Sequence, residues 1–171
     1  TRDTEMHNTE IHNAAIRNTA KALLVSDGRI LVNRCVTQEG EIFYDLPGGG
    51  QHMLETMEEA VIREVREETG YTVKVAGFAA LAEEINDYLA DSDYSEYAHR
   101  VIHIFRVEVT GGEAAEPTEM DYQQSGSVWL DLEEADRALF LPEHLNGRIS
   151  QLARSETPLY LGCVRSQEWR V

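Results

Sequence analysis

The chain has 171 residues, of which 42% are apolar, and this is enough for one folded domain with its own core. It carries 31 Asp and Glu residues against 15 Lys and Arg residues, so its formal net charge at pH 7 is −16. This surplus of negative charge argues against a general DNA or RNA binder, because affinity for a polyanion comes largely from cationic side chains. It argues equally against docking on an anionic membrane surface.

Residues 1–18 are rich in Asn, Thr and His and have no sustained hydrophobic period, so we interpret them as an irregular N-terminal arm. A single domain is expected over residues 19–171, since no repeat or interdomain linker interrupts them. No apolar run approaches the ~20 residues that span a bilayer, and the polar residues 1–13 lack the apolar core of a secretory signal. The two cysteines, Cys35 and Cys163, are too few for a disulfide framework. These features predict a cytoplasmic protein.

The first predicted elements form a β-hairpin. Residues 21–26 and 29–34 are strand candidates on either side of Asp27-Gly28, which is a strong two-residue turn signal. Further strands are predicted over residues 42–46, 71–81, 99–109 and 128–130. Acidic loops are predicted over residues 83–96 and 113–127.

A helix is predicted over residues 56–69, which contain no Gly or Pro and stop at Gly70 in the C-cap position. The C-terminal third is also predicted to be helical, around residues 132–139 and again around residues 143–153. With the strands described above, this pattern indicates one mixed α+β domain.

The predicted helix places Glu64, Glu67 and Glu68 on one face, because positions i, i+3 and i+4 are neighbours on a helix. Like charges at about 6 Å and an effective dielectric of about 20 repel by roughly 3 kcal/mol per pair. A partly buried cluster therefore needs compensation, either by Arg63 and Arg66 or by a divalent cation. Oxygen ligands favour Mg²⁺ or Mn²⁺ over zinc.

Three consecutive glycines follow Pro47 and allow the backbone to turn tightly and to approach a ligand. A cation held between their carbonyls and the glutamates would suit a pyrophosphate, and it would activate water for in-line attack. The alternative is an ordinary solvated helix face whose Glu and Arg residues pair four positions apart.

The segment from Gly49 to Tyr71 resembles the Nudix box. That pattern is Gly, five residues, Glu, seven residues, Arg-Glu, an aliphatic, any residue, Glu-Glu, any residue, Gly and an aliphatic. The fixed positions are filled here by Gly49, Glu55, Arg63, Glu64, Val65, Glu67, Glu68 and Gly70. Two features depart from the usual form: Tyr71 replaces the final aliphatic, and Met53-Leu54 replaces the common Pro-Gly.

The resemblance implies the fold of the Nudix hydrolases, an α/β/α sandwich around a mixed β-sheet. Members of that family use Mg²⁺ or Mn²⁺ to cleave a nucleoside diphosphate linked to another moiety. The metal ligands it implies are three glutamates and a backbone carbonyl: Glu64, Glu67, Glu68 and Gly49. Arg63 would orient the glutamates, Glu55 would hold the loop to the helix, and Glu64 or Glu67 would accept the proton of the attacking water.

The family often completes its site with an acid from a loop beyond the box, and three residues are candidates here: Glu116, Glu119 and Asp121. Arg34 and Arg100 could meet substrate phosphate, or they could balance nearby acids as exposed residues. Tyr88 could stack on a nucleobase, since dinucleoside-polyphosphate hydrolases of the family carry a tyrosine near that position, or it could hold the loop in place.

The sequence thus predicts a Mg²⁺-dependent pyrophosphohydrolase whose partner is a small nucleotide-type diphosphate, not nucleic acid or a membrane. The alternative is a non-catalytic Nudix-like module that senses a nucleotide, although such modules commonly lose box glutamates that this chain retains. A purely structural acidic scaffold would not respond to metal. The C-terminal helix and the N-terminal arm could serve a homodimer or merely close the core.

Overall fold

The computed structural model describes residues 15–113 and 124–166. Its strands are β1 (Arg17–Leu23), β2 (Val25–Ser26), β3 (Arg29–Val36), β4 (Ile42–Asp45), β5 (Gly48–Gly50), β6 (Tyr71–Asn86), β7 (His99–Gly112), β8 (Gln124–Asp131) and β9 (Leu159–Ser166). Its α-helices are α1 (Met57–Thr69), α2 (Leu132–Arg137) and α3 (Ile149–Arg154). Short 3₁₀ turns cover Asp87–Leu89, Ser95–Tyr97 and Glu143–Leu145.

The larger sheet is mixed, with strand order β5-β1-β7-β6-β9 in the described part of the chain. Strand β1 runs parallel to β7 and β6 runs parallel to β9, whereas β5 is antiparallel to β1 and β6 is antiparallel to β7. In the second sheet, β3 pairs with β2, β4 and β8. The larger sheet buries apolar side chains on both faces, since Ile104 of β7 belongs to one apolar cluster and the next residue, Phe105, belongs to the other.

One face of the larger sheet packs against α1. Ala60, Val61 and Val65 of the helix are fully buried against apolar residues of β1 and β7, including Ala22 and Phe105. The opposite face packs against the C-terminal segment and forms a second apolar cluster: Ile102, Ile104, Ala135, Phe140, Ile149 and Leu152. This layering confirms the predicted α+β class and the α/β/α sandwich.

The α1 helix confirms its sequence prediction to within one residue. Thr56 is the N-cap, and its hydroxyl accepts a hydrogen bond from the Glu59 amide at 3.1 Å. Gly70 ends the helix in the left-handed conformation at φ 82°, and its amide donates to the Arg66 carbonyl at 3.0 Å. Both ends of the helix are therefore fixed by neighbours in sequence.

The predicted N-terminal hairpin is only partly present. Asp27 and Gly28 turn with φ values of 51° and 73°, as a tight two-residue hairpin requires. The first long strand begins at Arg17, not at residue 21, and it leaves this hairpin for the larger sheet. Most of the predicted arm, residues 1–14, lies outside the described residues. The sequence could not show that the first strand begins at Arg17 and enters the larger sheet, because the strands that pair with β1 lie far away along the chain.

The acidic segment predicted as a loop over residues 83–96 is a strand at its start. Strand β6 continues to Asn86, and its two glutamates find side-chain partners on β7. Glu84 pairs with Arg100 at 2.7 Å, and Glu83 lies 3.0 Å from the His99 ring. Charged residues are tolerated in this strand because cross-strand neighbours compensate them. The second predicted loop, residues 113–127, is also shorter, since β8 begins at Gln124.

The C-terminal third is less helical than predicted. Helix α2 ends at Arg137, and residues 143–153 form a 3₁₀ turn followed by α3. The chain then enters β9, which pairs with β6 and was not predicted. Within the described parts of the chain, no helix has the length and apolar character needed to cross a bilayer.

The pairing of β5 with β1 predicts that Gly48 tolerates no side chain. A Cβ atom at this position would overlap the Ala20 carbonyl oxygen, and its φ of 149° disfavours any other residue. Gly48→Ala should therefore lower the free energy of unfolding by about 3 kcal/mol, measured by urea denaturation. Gly111→Ala, where a Cβ meets nothing within 4 Å, is the control and should change it by less than about 0.5 kcal/mol. Equal stability of the two variants would contradict the pairing.

Candidate active site

The Arg63 guanidinium is the centre of the site. Its Nε and Nη2 atoms donate to the two Glu55 carboxylate oxygens at 2.7 and 2.9 Å. Its Nη1 atom donates to Glu64 Oε1 at 2.9 Å and to Glu67 Oε2 at 3.3 Å. Nη2 also donates to the Gly50 carbonyl at 3.1 Å. One cation thus holds three carboxylates and the glycine strand. The pKa of Arg63 is raised, and the hydrogen bond to Glu55 is the largest cause.

Glu55 holds the loop that enters α1. Its Oε1 atom accepts a hydrogen bond from the His52 amide at 3.0 Å, and its carbonyl accepts from Gln51 Nε2 at 2.6 Å. The hydrogen bond from Arg63 lowers the pKa of Glu55 to about 2. These contacts give Glu55 the loop-holding position that the resemblance implied.

Glu64 faces the glycine strand. A Cβ atom at Gly49 would lie only 2.5 Å from Glu64 Oε1, so the missing side chain is what lets the carboxylate approach the backbone there. Burial raises the pKa of Glu64, against the opposing effect of Arg63. The sequence predicted that these two residues lie side by side, and the structure brings them together.

Glu68 is turned into the fold. Its side chain is buried, and Oε2 accepts hydrogen bonds from the Gly48 amide at 2.8 Å and from Asn33 Nδ2 at 3.1 Å. Burial raises the pKa of Glu68 to about 8. The sequence placed Glu68 beside Glu64 and Glu67 on one helix face. Within that face it lies nearest the core, and it joins α1 to β3 and β5.

Lys21 is a site residue that the sequence analysis missed. Its buried ammonium lies 2.7 Å from Asp45 Oδ2 and 3.4 Å from the Gly48 carbonyl. Burial alone would lower the pKa of Lys21, but the charges of Asp45 and Glu68 outweigh it and the pKa is raised. A lysine within an apolar strand was the available signal, because such a residue is seldom fully buried without a charged partner.

The glycine strand, Arg63 and the α1 glutamates line a cleft of about 380 Å³. The lining comprises the glycine strand and the residues after it, the α1 side chains and one arginine from β1: Gly48, Gly49, Gly50, Gln51, His52, Arg63, Glu64, Glu67, Glu68 and Arg17. Arg17 was not singled out from the sequence, because it lies in the segment predicted to be an irregular arm. Its Cζ atom is 2.7 Å from the position of a Cβ at Gly50.

The predicted substrate residues lie elsewhere in the described chain. Arg34 follows Asn33 in β3, so its side chain leaves the strand on the face opposite the Glu68 contact. Arg100 pairs with Glu84, and Tyr88 lies in the first 3₁₀ turn. None of the three is in the cleft lining. The further acid candidates, Glu116, Glu119 and Asp121, fall outside the described residues.

The cleft offers the type of donor atom that a hard divalent cation prefers. Among residues 15–113 and 124–166, no three Asp, Glu, His or Cys side chains stand in an arrangement that could hold a metal ion. Glu64 and Glu67 nevertheless converge on one positive charge, the Arg63 Nη1 group, and the buried Glu68 lies one turn further along. All donors are oxygen atoms, which is the set preferred by Mg²⁺ and Mn²⁺.

A mixed sheet between helical layers, with a cleft where a glycine strand meets glutamates of one helix, defines the class of this protein. A family model described as the NUDIX domain matches residues 14–151. The chain therefore belongs to the Nudix family.

A curated relative is named ADP-ribose pyrophosphatase, from Methanocaldococcus jannaschii. It is 31% identical over 91 residues, which are 53% of this chain and 50% of that protein. The chain thus spans about half the length of this curated relative.

Solved structures resemble the fold over most of the chain. A UDP-X diphosphatase has a TM-score of 0.63 at 17% identity, covering 92% of this chain and 74% of that one. A MutT protein from Bacillus halodurans has a TM-score of 0.64 at 18% identity, covering 89% and 91%. At these identities the likeness shows the fold.

The lowered pKa of Glu55 predicts a pH-dependent contribution to stability. A carboxylate whose folded pKa is about 2, against an ordinary 4.5, stabilises the fold above pH 4.5 and loses this effect as the pH falls towards 2. Glu55→Gln should lower the free energy of unfolding by about 1–2 kcal/mol at pH 7. Its difference from the parent should shrink between pH 4.5 and pH 3, as measured by urea denaturation. Glu58→Gln, on the exposed side of α1, should show no such trend.

Proposed function

We propose that this chain is a Mg²⁺-dependent pyrophosphohydrolase that cleaves a nucleoside diphosphate linked to another moiety. The observation that supports it best is the charge of the cleft. Three glutamates of α1 face a glycine backbone, while Arg63 already divides its hydrogen bonds among Glu55, Glu64 and Glu67. A diphosphate would be repelled by these carboxylates unless a cation lay between them.

In this proposal the ion would be held by Glu64, Glu67 and Glu68 with a carbonyl of the glycine strand. When bound there, a divalent cation offsets charge on the phosphate oxygens and makes water more acidic. Mg²⁺ fits the all-oxygen donor set, and Mn²⁺ would substitute for it. The Glu68 carboxylate already accepts hydrogen bonds from Asn33 and Gly48, so its position would be fixed before the ion binds.

The chain's own groups then perform the remaining steps. The oxygen of a water molecule bonds to phosphorus, the P–O bond of the anhydride breaks, and two phosphate monoesters leave. Glu64 accepts the proton from the attacking water, which is supported by the burial that raises its pKa. Arg63 keeps Glu64 and Glu67 in place during the reaction, and Arg17 at the cleft edge supplies a cation for the phosphates.

The substrate class is supported by two relatives. One is named an ADP-ribose pyrophosphatase and the other a UDP-X diphosphatase, and a nucleoside diphosphate joined to a second moiety is common to both names. Arg100 pairs with Glu84 and lies 5.7 Å from the centre of the Tyr97 ring, which also contacts Arg17, and its contact with substrate phosphate stays a prediction. Substrate contacts by Arg34 and Tyr88, a homodimer and a cytoplasmic location stay predictions.

Replacing one carboxylate of the cleft should lower catalysis while the protein stays folded. Glu64→Gln should lower turnover of ADP-ribose or UDP-glucose at saturating Mg²⁺ by at least ~10²-fold, because a charged stabiliser and proton acceptor is lost. Phosphate released after phosphomonoesterase treatment measures the two products. Glu58→Gln, on the exposed side of the same helix, should retain parental activity. Parental activity in Glu64→Gln would exclude the proposed site, and substrate binding without any turnover by the parent would favour a sensor.

Metal binding can be measured without any turnover. The parent should bind one or more Mn²⁺ ions in isothermal titration, with Mg²⁺ competing for the same site. The double variant Glu64→Gln/Glu67→Gln should weaken binding by at least about tenfold, because two of three anionic ligands are neutralised. Circular dichroism should show that the variant remains folded. Unchanged Mn²⁺ affinity in that variant would place the ion elsewhere.

A further inference from the structure

A second cavity, of about 660 Å³, lies beside the cleft. It is formed where the start of β1, the loop after the glycine strand and the second 3₁₀ turn meet. Arg17, Gln51 and His52 line both spaces, so the cavity adjoins the cleft. A substrate with its diphosphate in the cleft could therefore extend into the cavity without leaving the surface.

The cavity has an apolar side that is open to solvent. Ile16 is 57% exposed, Met53 is 90% exposed and Leu54 is 97% exposed. Met53 and Leu54 are the two residues that replace the common Pro-Gly in the box. Leu54 adopts a φ of 68°, a left-handed conformation that disfavours a branched side chain. Two apolar side chains this exposed add little to the core, and a ligand that covered them would remove apolar surface from water.

The remaining side of the cavity is polar. Asn18 and Ser95 can donate or accept hydrogen bonds, and the Glu96 carboxylate can accept them. An apolar lining with a few polar groups is typical of small-molecule sites of this size. The combination suits a nucleoside, since its base is flat and apolar on its faces while its edge and its ribose carry hydrogen-bonding groups.

Arg17 lies at the border of the two spaces and is held there from two sides. Its Nη1 atom donates to Glu96 Oε2 at 3.1 Å, and its Cζ atom lies 5.1 Å from the centre of the Tyr97 ring. The same guanidinium approaches Gly50 at the edge of the cleft. It is therefore a fixed cation at the point where a nucleoside in the cavity would join a diphosphate in the cleft.

We propose that this cavity binds the nucleoside moiety of the substrate, with Met53 and Leu54 against the base and Arg17 at the adjoining phosphate. The inference rests on the proposed function, because only a diphosphate in the cleft makes the cavity part of the same site. It assigns substrate selection to the start of β1, to the loop within the box and to the second 3₁₀ turn.

The test compares two non-hydrolysable ligands in the presence of Mg²⁺. α,β-Methylene-ADP carries a nucleoside, and methylenediphosphonate carries only the diphosphate part. Met53→Ser/Leu54→Ser should raise the Kd for α,β-methylene-ADP by about tenfold or more, because contact area for the base is lost. The Kd for methylenediphosphonate should change by less than about twofold. The control Ile42→Ser, at a 42% exposed residue of β4 outside the cavity, should leave both affinities unchanged.

A direct reporter of the cavity is the methyl group of Met53. In protein labelled with ¹³C at the methionine methyl groups, the Met53 resonance should shift with α,β-methylene-ADP and stay in place with methylenediphosphonate. Met53→Leu assigns the resonance, and Met57 of α1 is the internal control. The urea midpoints of the variants confirm that they are folded.

Several outcomes would overturn the inference. Equal weakening of both ligands would mean that the substitutions disturb the loop and the cleft alike. An unchanged Kd for α,β-methylene-ADP would place the nucleoside elsewhere. A Met53 resonance that shifts with protein concentration in the absence of ligand would assign the cavity to a second copy of the chain. If the parent bound neither ligand with Mg²⁺, the proposed function itself would fail, which is distinguishable from the other results.

Discussion

The arrangement of the cleft depends on the hydrogen bonds that one guanidinium makes to several carboxylates. Arg63 binds Glu55 through two oxygens and Glu64 and Glu67 through one oxygen each. Without it, carboxylates on adjacent turns of a half-buried helix would repel one another, and the loop before α1 would lose its contact with the helix. The same residue reaches the Gly50 carbonyl, so the helix, the loop and the glycine strand keep fixed positions relative to one another. The cleft exists because these three segments converge on a single cation.

A second, deeper set of charges connects the cleft to the sheet. Glu68 is held by the Gly48 amide and by Asn33, while Lys21 lies between Asp45 and the Gly48 carbonyl. Buried charges are costly unless they are paired and hydrogen-bonded. Removing one charge of this set would leave the other charges buried without a partner. The amide and the carbonyl of Gly48 are therefore both hydrogen-bonded to buried side chains, at a position that accepts no side chain. This arrangement explains how so acidic a site can sit against an apolar core.

The proposed function and the proposed nucleoside cavity follow from the same charge pattern. Carboxylates gather on the α1 side of the cleft, and an anionic substrate needs a cation to approach them. Arg17 supplies a protein cation at the other side, where it is fixed by Glu96 and the Tyr97 ring. Beyond Arg17 the surface becomes apolar at Met53 and Leu54. In the proposed arrangement, the acids that would hold the metal, the cation that would meet the phosphates and the apolar surface follow one another in the order of a nucleoside diphosphate linked to another moiety.

The sequence by itself determined the features whose causes lie within a few residues. The C-cap of α1 at Gly70 and the Asp27-Gly28 turn were readable from the sequence, since helix periodicity and turn chemistry are local. The loop-holding role of Glu55 was implied by the resemblance to the Nudix box, and its contact with Arg63 is consistent with it. Only the tertiary structure decided which strands pair, that Glu68 points into the core, and that Lys21 and Arg17 belong to the site. Arg17 and its partner Glu96 are 79 positions apart, and no local pattern encodes such a contact. The acidic start of residues 83–96 became a strand for the same reason, because its compensating charges lie on another strand.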